Sequence, residues 1–456
     1  MGMYSGKQIV VLGMGETGMS VARWLTLQGA KVRVADSRDV PPNLDKLRSD
    51  FPLSEIHTGK FGPQTFAGCD LAVASPGVPL ATPALQAAMA TGVEIVGDIE
   101  LFARAIDGWP SKVIAITGAN GKTTVTTLVG EMCKAAGLHT IVAGNIGLAV
   151  LDALTDLGDE RPDVFVLELS SFQLESTSTL NPAASTVLNV TEDHMDRYAD
   201  MNAYAAAKAR IFAGNGVQVI NREDDYSLHM ALPGRNVVSF GLDKAQGAQD
   251  FGLIKRHDEL WLAQGDEALL STNDMQLTGL HNAANALACL ALCRGIGLPW
   301  EPLLSALRSF KGLPHRVEWV ESVNGVGYID DSKGTNVGAT VAALNGMSQK
   351  VVLIAGGDGK GQDFSPLHAA VSHACRGVVL IGRDARQIES TLNGLALPIQ
   401  HANTMDDAVR QATELARAGD VVLLSPACAS LDMYRNYAHR AEVFITAVKA
   451  LPGARG

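Results

Sequence analysis

Apolar residues in this chain fall into short runs separated by longer stretches with helical periodicity. "QIVVLG", "KVRVAD", "DLAVASPG", "VIAITG", "TIVAGN", "DVFVLELS", "STVLNVT" and "GVQVINRE" come first; "GVGYIDD", "KVVLIAGG", "GVVLIG" and "DVVLLSPA" follow later. Near-continuous apolar runs of this length predict strands buried on both faces, and their alternation with helices predicts mostly parallel sheets. Gly29 stops the first helical stretch. "NTMDDAVRQATELARAGD" predicts a helix with Asn403 or Thr404 as N-cap, acidic residues early, Arg417 late and Gly419 at its end. The pattern breaks at "AIDGWPS", where Gly108 and Pro110 mark a linker, and again near Leu313. The fold class is therefore α/β, in three segments: 1–108, 109–313 and 314–456.

A length of 456 residues suits three domains, and 47% hydrophobic residues suffice for a core in each. A net charge of -11 argues against nucleic-acid and anionic-membrane partners, so any phosphate must be met by local cations. No apolar run has the length of a membrane span, and the N-terminus lacks a signal core. The six cysteines form no C-x-x-C pair; Cys289 and Cys293, four apart in "NALACLALC", read as one helix face in a core. The expectation is a cytoplasmic protein in a reducing compartment.

Two glycine turns follow strands and open helices. "GMGETG", Gly13–Gly18, fits G-x-G-x-x-G, with Asp36 at the end of the next strand. That suits a dinucleotide, another nucleotide whose phosphates meet helix amides, or a turn used only for packing. "TGANGKTT" is a phosphate loop shortened to G-x-x-G-K-T, with Ile116 where the longer motif has glycine. Its glycines admit backbone amides to phosphate oxygens, Lys122 supplies charge, and Thr123 offers a hydroxyl to Mg²⁺.

Other polar residues collect after strands. Glu168 ends "DVFVLE", and "TEDHMDRY" brings Asp193, His194 and Asp196 to the same sheet edge, where ligands of α/β proteins bind. Lys208, in "AYAAAKARIF", reads on its own as a solvated helix lysine. In the third segment "DDSKGTN" and "GGDGKGQDF" each present a lysine after a strand, and "SPACASLDMYRNYAHR" places Ser430 at an expected helix start. Arg316, in "LPHRVE", stands at the segment boundary, where it can clamp a phosphate bidentately.

Together these motifs resemble the Mur ligase family. "TGANGKTT", "LELSSFQLE", "NVTEDHMDRY", "HNAANALA", "LPHRVE", "DDSKGTN", "GGDGKGQDF" and "SPACASLDMYRNY" follow in that family's order over nearly the whole chain. The likeness is closest to its D-glutamate-adding branch. The resemblance implies a Rossmann-like N-terminal domain holding UDP, a central P-loop mononucleotide-binding domain, and a C-terminal Rossmann-like domain for D-glutamate. It implies a cytoplasmic, monomeric ligase of peptidoglycan precursor synthesis that joins D-glutamate to UDP-N-acetylmuramoyl-L-alanine through an acyl phosphate, with ATP as co-substrate and two Mg²⁺ sites.

The residue roles below are likewise what the resemblance implies. Gly15, Glu16, Thr17 and Gly18 line the diphosphate, Asp36 and Ser37 lie near uracil with Gly77 close by, and Asn145 faces the muramoyl part. Gly118, Asn120, Gly121, Lys122, Thr123 and Thr124 hold ATP phosphates; Asn282 and Asn285 meet adenine, Asp331 the ribose region, and Arg316 the terminal phosphates. Thr123 and Glu168 serve one metal, and His194 and a carbamylated Lys208 the second. Lys333, Thr335, Lys360, Ser430, Leu431 and Tyr437 surround D-glutamate. The rivals are an NAD-dependent oxidoreductase built on "GMGETG", a non-enzymatic nucleotide switch built on "TGANGKTT", and a related ligase for another amino acid.

Overall fold

The computed structural model describes residues 2–277 and 279–454. Three sheets succeed one another along the chain. The first has five parallel strands in the spatial order Glu55–Thr58, Lys31–Asp36, Gln8–Leu12, Leu71–Ala74, Ile95–Val96. The chain reverses direction of travel at Gln8–Leu12, so the turn after that strand opens a crevice at the sheet's carboxyl edge. Helix Glu16–Leu27 follows the turn directly. Gly18 faces the turn, and a Cβ there would stand 1.9 Å from the Gly13 carbonyl oxygen. Its task is close helix–strand packing.

The second sheet has nine strands. Lys112–Thr117 sits inside it, flanked by Val164–Glu168 with Thr140–Gly144 beyond on one side, and by Ala184–Val187, Val217–Asn221 and Val237–Phe240 on the other. These strands are parallel. The sheet then ends in an antiparallel meander, Phe251–Arg256, Glu259–Gln264 and Glu267–Ser271, which the sequence pattern did not predict. Helix Leu280–Gly295 packs Cys289 and Cys293, both fully buried, against the sheet and helix Lys122–Ala135. Five of the six cysteines are buried, Cys69 being partly exposed, and all six are free thiols.

The third sheet runs Glu318–Val323, Val326–Asp330, Val421–Leu424, Val351–Gly356, Cys375–Ile381, Ile399–His401, antiparallel only between the first two. Thr404 caps helix Met405–Leu415 by accepting from the Asp407 N–H, and the helix stops two residues before Arg417. Ser430 is not at a helix start. The chain turns for six more residues, and the last helix, Tyr437–Lys449, begins only where Asn436 supplies a capping oxygen. Asn in that role satisfies an orphan N–H that Ser430, held in a turn with its carbonyl accepting from Tyr434 N–H at 2.8 Å, does not reach. Among the described residues no helix is long and apolar enough to cross a membrane.

The first two domains share one apolar core. Phe102, in helix Asp98–Ala105, meets Phe165 of the central sheet edge-on with ring centroids 5.0 Å apart.

Candidate active site

Strand Lys112–Thr117 has neighbours on both sides whose chain connections diverge, and the loop at its carboxyl end therefore projects into an open crevice. Gly121 caps helix Lys122–Ala135 at φ 83°, and a Cβ there would meet the Asn285 amide oxygen at 2.7 Å. Only glycine fits that conformation and that approach. Asn189, after the next strand, braces the loop: its Oδ1 accepts from the Asn120 N–H at 2.8 Å and its Nδ2 donates to the Asn120 carbonyl at 3.1 Å.

Two lysines turn inward on this loop. Lys122 Nζ donates to the carbonyls of Gly118 and Ala119, both at 2.8 Å, and Lys208 Nζ donates to Gly118 at 2.9 Å. Lys208 is 1% exposed, which overturns its reading as a solvated helix lysine. Burial, with Lys122 beside it, pushes the Lys208 ammonium well below the ordinary lysine range. Burial also lowers Lys122, while Glu168 and Asp193 oppose the shift. Glu168 accepts from Asn145 Nδ2 at 2.9 Å through Oε1, while Oε2 is buried with no partner among the described residues. A buried carboxylate oxygen without a partner, beside the buried Lys208 and the half-buried Lys122, is an unfinished electrostatic arrangement.

His194 adopts a left-handed backbone, φ 59°, and its ring lies 4.8 Å from that of Phe172. Burial carries its pKa down to about 4 against the pull of Asp193, so the imidazole is neutral near pH 7 and has a lone pair to offer.

Two cavities flank this cluster. One, about 310 Å³, is lined by Asn120, Gly121, Thr124, Asn282, Asn285, Arg316, Asp331 and Lys333 among others. The other, about 750 Å³, lies at the crevice of the first sheet and reaches the central domain; its walls include Gly15, Glu16, Thr17, Asp36, Ser37, Gly77 and Asn145.

The Mur ligase middle domain matches residues 116–293, the Mur ligase MurD-like N-terminal domain residues 7–97, and the Mur ligase glutamate ligase domain residues 315–428. The chain belongs to the Mur ligase family. Among its relatives, the UDP-N-acetylmuramoylalanine--D-glutamate ligase of Methylobacillus flagellatus is 59% identical over 445 residues, 98% of this chain and 97% of that protein. The protein of the same name from Chromobacterium violaceum is 57% identical over 454 residues, 99% of each chain. The UDP-N-acetylmuramate-alanine ligase of Thermotoga maritima has the same fold, with a TM-score of 0.60 at 20% identity over 97% of this chain and 99% of that one. So does a pseudomurein peptide ligase type C from Methanothermus fervidus, at 0.61 and 16% over 97% and 99%.

In this Mur ligase most of the residues singled out from sequence converge on the two cavities, and several differ from expectation in what they touch. Asp36 lines the larger cavity, yet its carboxylate is engaged by the protein: Oδ2 accepts from Met14 N–H at 2.8 Å and from Arg38 Nη2 at 2.7 Å, and Oδ1 from Arg38 N–H and Nε at 2.9 and 2.8 Å. Burial alone would raise its pKa; the Arg38 and Met14 bonds outweigh that and bring it below the usual carboxylate range. Asp36 thus shapes the glycine turn and aims Arg38 as well as facing the cavity. Gly18 lies beneath the cavity wall, and Gly118, Lys122 and Thr123 sit at the loop's base without lining the smaller cavity.

The C-terminal residues form a looser group. Lys333 points its ammonium at the Tyr437 ring, 3.8 Å from the centroid, and burial, aided by Arg316, lowers its pKa to about 8. Asp331 accepts from Ser425 Oγ at 2.7 Å, and burial raises it to about 7. Lys360 is ion-paired with Asp193 of the central domain. Ser430 is buried and Leu431 is 72% exposed. The Lys360 and Ser430 loops are joined by paired backbone bonds between Asp358 and Ala429 at 3.0 and 2.8 Å. Thr335 N–H donates to the Lys333 carbonyl at 2.8 Å.

Sequence reasoning missed several residues. Asn189 and Thr191 line the smaller cavity after "STVL", and their place following a strand beside the phosphate loop was the available signal. Arg440 gave none, because it reads as one more helix arginine. It is fully buried and donates to Ser332 Oγ and to the carbonyls of Ser332 and Cys428 at 3.0, 2.7 and 3.0 Å, binding the Lys333 and Ser430 loops into one unit.

Proposed function

We propose that this Mur ligase joins D-glutamate to UDP-N-acetylmuramoyl-L-alanine in the cytoplasm, at the expense of ATP, as a step of peptidoglycan precursor synthesis. The observation that carries the reading is 59% identity, over 98% of the chain, to a protein of that name. The protein acts as a monomer, with domains bounded near 108 and 313.

The larger cavity takes the UDP-sugar, its diphosphate against the Gly15–Gly18 turn and its peptide end toward Asn145. The smaller cavity takes ATP, adenine against Asn282 and Asn285, ribose against Asp331, and phosphates at Lys122, Thr123 and Arg316. The substrate carboxylate oxygen attacks the γ-phosphorus and ADP leaves, giving an acyl phosphate. Lys122 and Arg316 stabilise the charge that spreads over the transferring group. D-Glutamate, held by Lys333, Thr335, Lys360, Ser430, Leu431 and Tyr437, gives up an ammonium proton. That proton passes to solvent; the amine then adds to the activated carbonyl, the nitrogen gives its second proton to solvent, and phosphate departs from the tetrahedral intermediate to leave the amide.

The Thr123 hydroxyl and the buried, unpartnered Glu168 oxygen are hard donors that fit one Mg²⁺, and the neutral His194 imidazole offers a nitrogen to the second. Lys208 as an ammonium does not fit; as a carbamate it would supply the remaining hard oxygen. When bound, Mg²⁺ neutralises phosphate charge. Burial beside Lys122 favours the free amine that carbon dioxide requires.

Phosphate release from ATP tests the reading. With UDP-N-acetylmuramoyl-L-alanine present, release should follow addition of D-glutamate and not L-glutamate, L-alanine or diaminopimelate. Release with diaminopimelate instead would favour a sister activity, and tight NAD binding without phosphate release would favour the oxidoreductase.

A further inference from the structure

The turn that carries His194 is also fastened to the wall of the larger cavity. Arg197 follows His194 by one turn, and its N–H donates to the His194 carbonyl at 2.9 Å. Its guanidinium is used on both arms. Nη1 donates to the Pro76 carbonyl of the N-terminal domain at 2.7 Å, and Nη2 to Glu175 Oε2 of the central domain at 2.7 Å. The plane lies over the Phe172 ring, 4.0 Å from its centroid, and the same ring bears His194. The other Glu175 oxygen accepts from Tyr198 OH at 2.6 Å. With side chains 13% and 19% exposed, Arg197 and Glu175 form a largely desolvated pair, whose geometry is held far more firmly than that of a surface ion pair.

Other ties join these two domains. Arg23 meets Asp152, and Glu100 accepts from the N–H groups of Ser178 and Thr179. Those residues line neither cavity, and Gln173, which lines the larger one and donates to Asp98 at 3.1 Å, lies outside the His194 turn. Arg197 differs in having one end on Pro76, which does line the larger cavity, and the other in the turn of His194.

We propose that Arg197 is a positioning residue that fixes the separation between the nucleotide-sugar cavity and the phosphate-transfer centre. The inference rests on the ligase reading above. A substrate anchored by its nucleotide in one domain must deliver a carboxylate oxygen to a phosphorus held in another. The reacting atoms must come within roughly 3–3.5 Å, and an error of about 1 Å costs on the order of a hundredfold in rate. A planar donor bonded at once to both domains holds that distance with little angular freedom.

Two variants test it, each against the full-length enzyme. Arg197→Met keeps an apolar stem on Phe172 and removes both bonds; Arg197→Lys keeps the charge but has one nitrogen for two acceptors. The expected result is a fall in kcat of about a hundredfold in the first and a smaller fall in the second. The dissociation constant for the UDP-sugar, by calorimetry, and the KM for ATP should stay within about threefold, since neither loop is removed. A kcat within threefold of wild type in both variants overturns the proposal. So does a loss of UDP-sugar binding as large as the loss of rate, which would make Arg197 a prop of the cavity rather than a spacer. If Arg197→Met fails to fold, Arg197→Lys decides by the same criteria. Failure of the ligase reading would show separately, as a wild-type enzyme that releases no phosphate on addition of D-glutamate.

Discussion

Asn336 offers a sharp test of how the C-terminal domain is held against the phosphate loop. Its Oδ1 accepts from the Ala339 N–H at 2.9 Å, capping helix Val337–Asn345. The same side chain reaches across the domain boundary to Asn120, in a reciprocal amide pair at 3.2 and 3.0 Å, and to Asp193 Oδ2 at 3.4 Å. The two roles separate by substitution. Asn336→Ser retains a capping oxygen and deletes the clasp, whereas Asn336→Ala deletes both. Loss of the cap costs about 1 kcal/mol. Loss of the reciprocal pair costs roughly 1–3 kcal/mol at about 0.5–1.5 kcal/mol per neutral bond, while exposure of the Asn120 amide to water in an opened form offsets part of this. If turnover requires the closed arrangement, about 1.4 kcal/mol is a tenfold loss of competent enzyme, so kcat/KM for D-glutamate should fall about 5- to 100-fold in Asn336→Ser. Steady-state kinetics read the loss, and small-angle scattering reads the opening as a larger radius of gyration. In a cycle with Asn120→Ala the two effects should be strongly non-additive. Additive effects, or wild-type kinetics in Asn336→Ser, would show that the clasp is a contact without consequence.

Lys208→Arg should be inactive although it keeps the charge, and rigorous removal of carbon dioxide and bicarbonate should slow the wild type reversibly; a fully active Lys208→Arg would refute the carbamate. His194 binds its proton near pH 4 when folded and near pH 6.5 when unfolded. The unfolded state therefore holds more protons between those values, and this group withdraws stability as pH falls from 6.5 to 4. Denaturant titrations across that window should show a shallower acid loss in His194→Gln than in wild type, and parallel curves would count against the burial argument. Asp36→Ala, by freeing Met14 N–H and Arg38, should raise the KM for the UDP-sugar at least tenfold and leave that for ATP within about threefold; equal changes in both would mean general misfolding.

The strands most legible in the sequence were those buried on both faces, because an apolar run such as "VIAITG" has few other uses. The meander at 251–271 escaped notice because its strands carry charge at their exposed ends, as in Glu259–Gln264, and alternate too weakly to stand out between loops. The phosphate loop was visible because backbone geometry forces glycine and charge to fixed positions. Its partners were less so. That Lys208 is buried rather than solvated depends on helix Met201–Ala209 meeting the loop 90 residues earlier, a contact that no local pattern records. Arg197 and Asn336 were invisible for the same reason: each looks like a polar residue in a loop until the domain opposite is in place.

The distribution of thiols has a practical use. With five cysteines sealed in cores, Cys69 is the natural attachment point for a thiol-directed fluorophore or spin label. Partial burial raises its pKa, so coupling should be run on the alkaline side of neutrality. A label there reports from the N-terminal domain of the unaltered chain, and a second probe introduced into the C-terminal domain would turn the separation of the two domains, with and without substrates, into a distance measured in solution.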